Sequence, residues 1–208
     1  MVNCLSPPIA LLVEAGQRLP GVSKLIPFRS DSVLAWAEDS PEAAANVIAC
    51  VALLITTQDI SNSFSGLLAA GQRVANICNH VAQSIDKNYG DWSIEFLLTG
   101  IDRMRCPQSL YIKGDTDTGY AAEAIQIPTY PDVFATGSGG AAALERLASF
   151  PQDNDMSPFL ALMSVIEDHN IHCCGGAPCL ARCVSNGAEG RCEVIEYKSN
   201  GGKRYVLG

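Results

Sequence analysis

The amino-terminal part of the chain has the apolar and polar pattern of short β-strands. Apolar runs occur at Ile9–Val13, Lys24–Phe28 and Val33–Ala37, and each has the length of a strand. The polar residues Arg29-Ser30-Asp31-Ser32 separate the second run from the third, which predicts a turn between two strands. This part of the chain is therefore predicted to form three strands.

Two long helices are predicted next. Ser40-Pro41-Glu42 has the features of a helix start, because a hydroxyl can cap it, proline suits the first position and a carboxylate is favoured at the positive end. The Ala-rich segment that follows continues this helix to about Ile55. The second helix has apolar residues at the spacing of one helical face. They are Leu67, Leu68, Val74, Ala75, Cys78 and Val81.

The pattern then returns to strands, with two further helices between them. The predicted strands are Ile94–Ile101, Ser109–Lys113, Tyr120–Ile127, Val133–Thr136, Ala177–Val184, Cys192–Tyr197 and Arg204–Leu207, and the predicted helices are Ala141–Ala148 and Phe159–Asp168. Helices that arrive in consecutive pairs between groups of antiparallel strands cannot be the crossovers of a repeated βαβ unit. We therefore expect one domain, residues 1–208, of the α+β class: a four-layer αββα sandwich of two antiparallel sheets with a helix pair on each outer face.

Composition and charge exclude several classes of function. The chain has 208 residues, of which 48% are hydrophobic, enough to bury one core. The formal net charge is −8 and no basic cluster is longer than Lys203-Arg204, so nucleic acid is not expected as a partner. The longest strongly apolar run, Val47–Ile55, is shorter than the roughly 20 residues of a membrane span, so no membrane partner is expected. The first residues lack the basic start of a secretory signal, which predicts a cytoplasmic location.

The nine cysteines allow two interpretations. Cys50 and Cys78 lie in apolar helical patterns, where a reduced cysteine acts as a small buried hydrophobe. Five others follow His172, namely Cys173, Cys174, Cys179, Cys183 and Cys192. Their spacing is near that of a zinc or iron–sulfur site, but on one strand Cys179 and Cys183 would lie about 13 Å apart. Buried reduced cysteines, with no metal and no cofactor, are the preferred interpretation, and a metal-binding accessory protein is an alternative.

Several motifs follow one another in a recognisable order. The clearest are Phe96-Leu97-Leu98-Thr99-Gly100-Ile101-Asp102, Ser109-Leu110-Tyr111, Ala135-Thr136-Gly137-Ser138-Gly139 at a helix start, and Cys174-Gly175-Gly176-Ala177-Pro178 after the next helix. Weaker matches are Ile9-Ala10-Leu11-Leu12-Val13-Glu14, Ser23-Lys24-Leu25-Ile26 and Ala35-Trp36-Ala37-Glu38-Asp39. In this order the motifs resemble the β-type subunits of proteasomes and the related bacterial self-compartmentalising peptidases, over roughly residues 9 to 200.

The resemblance implies the fold of the N-terminal nucleophile hydrolases. In that family the first residue of the mature chain attacks a peptide carbonyl, and its α-amine or a nearby lysine handles the proton. By resemblance, Glu14 matches the acidic residue that orients the lysine, Lys24 matches the lysine, and Ser138 matches the serine near the active amine. These three residues are the candidate catalytic positions, and we expect them to be vestigial.

The sequence departs from the family at the nucleophile. Counting back from Glu14 by the family's spacing passes the first residue, and Cys4 and Ser6 are too close to Glu14 for two strands and a turn. Ile171 and Cys174 stand where the family places an Asp and a Ser. We therefore expect a non-catalytic structural or assembly subunit that self-associates or joins related subunits in a ring or larger particle. The alternative is an active peptidase or amidohydrolase whose nucleophile lies upstream or is an unmasked Cys4.

Overall fold

A computed structural model shows a mixed protein of helices and antiparallel strands, as the sequence predicts. It describes residues 9–13, 25–38, 41–56, 66–84, 93–101, 107–115, 119–125, 134–137, 139–151, 156–168, 170–171, 179–185, 190–197 and 203–207. The strands are β1 (Ile9–Val13), β2 (Leu25–Arg29), β3 (Ser32–Glu38), β4 (Ser93–Ile101), β5 (Pro107–Asp115), β6 (Gly119–Ile125), β7 (Cys179–Ser185), β8 (Gly190–Tyr197) and β9 (Lys203–Leu207). The helices are α1 (Pro41–Thr56), α2 (Leu67–Ser84), α3 (Gly140–Leu147) and α4 (Ser157–Ile166). Within these ranges the fold is α+β.

The predicted strand Val133–Thr136 is wrong in its described part. Phe134, Ala135 and Thr136 form neither helix nor strand. The Phe134 ring instead packs edge-on against the ring of Tyr111 on β5, with the ring centres 5.2 Å apart. An apolar run this short can pack through its side chains without joining a sheet, so its composition alone does not decide the backbone.

The strands divide into two antiparallel sheets. One sheet has five strands in the order β2-β3-β4-β5-β6, which is also their order in the chain. The other has four strands in the order β1-β7-β8-β9, so β1 leaves its neighbours in sequence and pairs with β7. The turn predicted at Arg29–Ser32 is present between β2 and β3. Each sheet therefore has two faces of its own that can pack against other elements.

The outer face of the five-stranded sheet packs against α1 and α2. Alternate residues of a strand point to opposite faces, and on β4 Phe96 and Leu98 face the helices together with Trp36 of β3. The helices contribute apolar stripes, which are Val47, Ile48 and Val51 on α1 and Leu67, Ala70, Val74, Ala75, Cys78 and Val81 on α2. Cys78 is fully buried, as predicted, and this burial raises the pKa of its thiol. Cys50 is exposed, which corrects the expectation, because it lies outside the stripe of α1.

The inner face of the same sheet packs against the four-stranded sheet. Val33, Ala35 and Leu97 face Ala181 and Val194 in one buried apolar cluster. The Cys183–Cys192 pair belongs to this cluster and is joined by a disulfide bond. The expectation that these two cysteines are reduced is therefore wrong. They lie directly opposite each other on β7 and β8, a position in which a bond can form across the strands.

Helices α3 and α4 pack against each other, and α4 contacts β1. The Arg146 guanidinium on α3 donates to the Ser164 carbonyl oxygen and to the Asp168 carboxylate at the end of α4. The Asn170 backbone N–H, followed by the Arg146 side chain, lowers the pKa of Asp168 below its usual value of 3.8. One charged residue therefore holds the ends of the two helices together. No helix in the described part of the chain is long and apolar enough to cross a membrane.

We expect the stability of the α3–α4 pair to depend on pH through Asp168. Because the pKa of Asp168 is lower in the folded protein, its stabilising effect is present above pH 3.8 and is lost as the pH falls through the folded pKa. The variant D168N should therefore be less stable than the wild type at neutral pH, and this difference should shrink on acidification. Urea unfolding followed by circular dichroism from pH 7 down to pH 3 measures it. The neighbouring variant E167Q, at an exposed position, is the control and should behave as the wild type does throughout.

We expect Gly100→Ala to destabilise the five-stranded sheet. A Cβ atom at Gly100 would lie 2.5 Å from Ser32 Cβ and 2.7 Å from the Asp31 carbonyl oxygen, so the β2–β3 turn would have to move. Overpacking of this kind costs about 1–3 kcal/mol in the free energy of unfolding, which chemical denaturation measures. Gly66→Ala is the matched control, since nothing lies within 4 Å of that position. Equal stability of the two variants would show that the turn does not press on Gly100.

Candidate functional site

A carboxylate on the inner side of the five-stranded sheet holds the segment that leads into α3. Glu95 of β4 accepts a hydrogen bond at Oε2 from the Gly137 backbone N–H, 3.3 Å away. Its Oε1 lies 3.0 Å from Lys113 Nζ on the adjacent strand β5, where the register places Lys113 directly opposite. The Glu95 side chain is 17% exposed, whereas that of Lys113 is 59% exposed. Glu95 therefore joins the sheet to the Gly137 segment.

Gly137 has a backbone conformation that a side chain would strain. Its φ angle is 82°, in the left-handed region where glycine carries no steric cost. The Gly137 carbonyl oxygen accepts a hydrogen bond from the Gly140 N–H at 3.0 Å, and this turn starts α3. The predicted Gly-Ser-Gly entry into a helix is thus present at its two described glycines, Gly137 and Gly139.

A small cavity lies behind this turn. Phe134, Thr136 and Gly139 line one side of it, and residues of α3 and α4 line the other. The space inside is about 30 Å³, which holds one or two water molecules. The Thr136 hydroxyl is buried and has no hydrogen-bond partner among the described residues.

The four predicted site residues lie outside the described residues. They are Glu14, Lys24, Ser138 and Cys4. Their described neighbours are the last residue of β1, Val13, the first residue of β2, Leu25, and the two glycines Gly137 and Gly139.

The β2–β3 turn marks one end of the stack. There the Cys192 N–H of β8 donates to the Ser30 carbonyl oxygen, 2.7 Å away. Two residues further along β7 and β8, Ala181 and Val194 share the core between the sheets with Leu25 at the start of β2. Val194 is buried whereas Arg191, on the other side of Cys192, is exposed, so the direction from Cys192 to Val194 runs from the turn into the stack and towards the start of β2.

The neighbours of the predicted residues lie towards the opposite end from that turn. Val13 pairs with Cys179 of β7. Cys179 lies four residues before Cys183 on that strand, on the side towards the start of β2. Gly137 is hydrogen-bonded to Glu95, which pairs with Ala37 of β3. Ala37 lies two residues beyond Ala35, the residue of β3 that pairs with Leu25. Val13, Leu25 and Gly137 are thus directed to the same end, although they come from distant parts of the sequence.

The cysteine cluster does not form a metal site in the described part of the chain. Cys173 and Cys174 lie outside the described residues, Cys179 begins β7, and the Cys183 and Cys192 sulfur atoms are bonded to each other. Among the residues that the structure describes, no group of three or more His, Cys, Asp or Glu side chains could hold a metal ion. Disulfide-bonded sulfur is also a poor ligand, since metals bind the thiolate.

Comparison with known proteins does not assign the chain to a family. No protein-family model matches the chain, and no curated protein sequence matches it significantly.

The sequence pattern missed the roles of Glu95 and Lys113. Each is the one charged residue of its predicted strand, Glu95 within Ile94–Ile101 and Lys113 at the end of Ser109–Lys113. A charge at an inward position of a strand is a usable signal, because it requires a partner there. The partner, Gly137, is 42 residues away in sequence, and only the folded chain shows it.

We expect replacement of Glu95 to loosen the start of α3. E95A removes the acceptor of the Gly137 N–H, and the lost hydrogen bond should cost about 1–2 kcal/mol in the free energy of unfolding. K113M removes only a half-exposed ion pair and should cost less than about 1 kcal/mol. Urea unfolding compares the two, and hydrogen exchange of the Gly137 amide should speed up only in E95A. Equal effects of the two variants would mean that Glu95 acts only as the partner of Lys113.

Proposed function

We propose that this chain is a proteasome-like protein with the four-layer αββα arrangement of N-terminal nucleophile hydrolases. In this proposal it serves as a non-catalytic structural or assembly subunit of a homo-oligomeric or larger complex. The observation that carries the proposal is the division of the strands. Strands β2 to β6 form one sheet in chain order, and β1 crosses to join β7, β8 and β9 in the other.

The positions of the helices support the four layers. The pair α1 and α2 follows β3 in the chain and packs on the outer face of the five-stranded sheet. The pair α3 and α4 follows β6, and α4 contacts β1 of the four-stranded sheet. Each sheet therefore has a helix pair associated with it, in the chain order of the family that the sequence resembles.

The lack of catalysis is supported by residues at and near the family positions. Ile171, where the family places an Asp, has no ionisable group. In the described part of the chain, the carboxylate that accepts the Gly137 N–H, Glu95, also forms an ion pair with Lys113. A carboxylate held in this way has a structural role, because it joins β4 to the segment that leads into α3.

Self-association is supported by exposed apolar side chains near both helix pairs. In the described part of the chain, the large apolar side chains that remain more than a third exposed are Leu53, Leu68, Phe134, Leu144, Met156 and Leu160. Scattered exposed apolar residues are ordinary on a monomer, but here they lie on or beside the helices that would face other subunits in the proposed particle.

One observation favours the alternative, an active N-terminal nucleophile peptidase or amidohydrolase. Val13, Leu25 and Gly137 are directed to the same end of the two-sheet stack. They adjoin Glu14, Lys24 and Ser138 in sequence. That end is where a nucleophile from upstream, or from near Cys4, would have to act.

Native mass spectrometry combined with a peptide electrophile separates the two functions. We expect particles whose mass is a multiple of the chain mass, with no covalent adduct on the amino-terminal residue after treatment with the electrophile. An adduct there, lost in K24M and kept in the matched variant K113M, would establish the active peptidase. A protein that stays monomeric at all concentrations would overturn the assembly role.

A further inference from the structure

The disulfide lies at the point where the two sheets are joined by a main-chain hydrogen bond. Cys183 and Cys192 are directly opposite on β7 and β8, with their Cα atoms 4.1 Å apart. This short separation is typical of an antiparallel pair that exchanges no hydrogen bonds, so the Cys192 N–H points away from β7. On the side of β8 away from β7 the neighbouring strand is β9. Its described pairing with β8 ends at Leu207, which lies opposite Glu193.

The unpaired N–H of Cys192 is used by the other sheet. It donates to the Ser30 carbonyl oxygen in the β2–β3 turn, 2.7 Å away. The Cys183 sulfur atom lies 3.9 Å from the Thr99 carbonyl oxygen of β4. Each of the two cysteines therefore contacts the five-stranded sheet, and both are at most 5% exposed.

We infer that the Cys183–Cys192 pair is a redox-controlled lock on the contact between β8 and the β2–β3 turn. Oxidation by a thiol-disulfide oxidant such as oxidised glutathione joins the two sulfur atoms. The two cysteine thiols lose two protons and two electrons, and the oxidant's disulfide is cleaved to two thiols. The inference does not rest on the proposed function, because it uses only the pairing of β7 with β8 and their contacts with the other sheet.

The packing around the pair explains why the bond acts as a lock. Two unbonded heavy atoms settle about 3.5–4 Å apart, so the reduced pair needs more room than the bonded pair. Val33, Ile101 and Val194 belong to the same buried cluster as the pair, and a close-packed core has little spare room. Reduction should therefore press β8 away from the Ser30 turn. In the oxidised protein the sulfur atoms are buried, so a reductant reaches them only when this contact opens.

The bond itself can be tested by tryptic mapping without reductant. Cleavage after Arg182, Arg191 and Lys198 places the two cysteines in separate peptides, Cys183–Arg191 and Cys192–Lys198. We expect these peptides to be recovered joined, two hydrogen atoms lighter than their sum, after incubation of the folded protein with oxidised glutathione. Recovery of both peptides singly with free thiols, or joined to other cysteines, would overturn the inference.

The lock is tested by hydrogen exchange of the full chain in both redox states. Reduction should speed exchange of the Cys192 amide at least tenfold, while amides in the middle of α2 keep their rates. The variant C183A/C192A, which has no sulfur atoms to separate, should exchange at the same rate with and without reductant, and C50S, which removes an exposed thiol, should respond as the wild type does. If the double variant does not fold, the two states of the wild type decide alone. Unchanged Cys192 exchange on reduction would show that the disulfide is not a lock.

Discussion

The structure depends on the apolar contact between its two sheets. Strands of the five-stranded sheet present large side chains to α1 and α2 on one face and smaller ones, such as Val33 and Ala35, to the second sheet on the other. A one-residue shift in the register of β4 would exchange the faces of Phe96 and Leu97, so that the larger ring would have to fit between the sheets and the smaller side chain would leave space under the helices. Because the burial of apolar surface is the main favourable term in folding, this alternation fixes how the sheets can stack.

Polar contacts then fix the two ends of the stack. At the β2–β3 turn, the Ser30 carbonyl oxygen accepts the Cys192 N–H of the opposite sheet. Towards the other end, Glu95 holds the Gly137 N–H at the start of α3. A disulfide bond reinforces the first contact and an ion pair reinforces the second. We therefore expect the first end to respond to reductant and the second to changes in charge. Gly137, at the Glu95 end, directly precedes the candidate residue Ser138 in the sequence.

Much of the fold follows from local pattern, and the long-range contacts do not. Alternating runs and turn residues predict the β2–β3 hairpin and the β4–β6 meander, because their neighbours in space are neighbours in sequence. The helix stripe that buries Cys78 is equally local. The pairing of β1 with β7, the Cys183–Cys192 bond and the partner of Glu95 are not local, and no periodicity encodes them. The prediction that Cys183 and Cys192 are reduced is wrong for this reason.

Electron microscopy of the purified particle tests the proposed assembly most directly. We expect closed rings in which each subunit density shows two stacked sheets between two helix pairs, with Glu95 at the end of the stack that holds the Gly137 turn. A monomeric particle, or rings whose subunits do not contain two stacked sheets, would refute the proteasome-like interpretation.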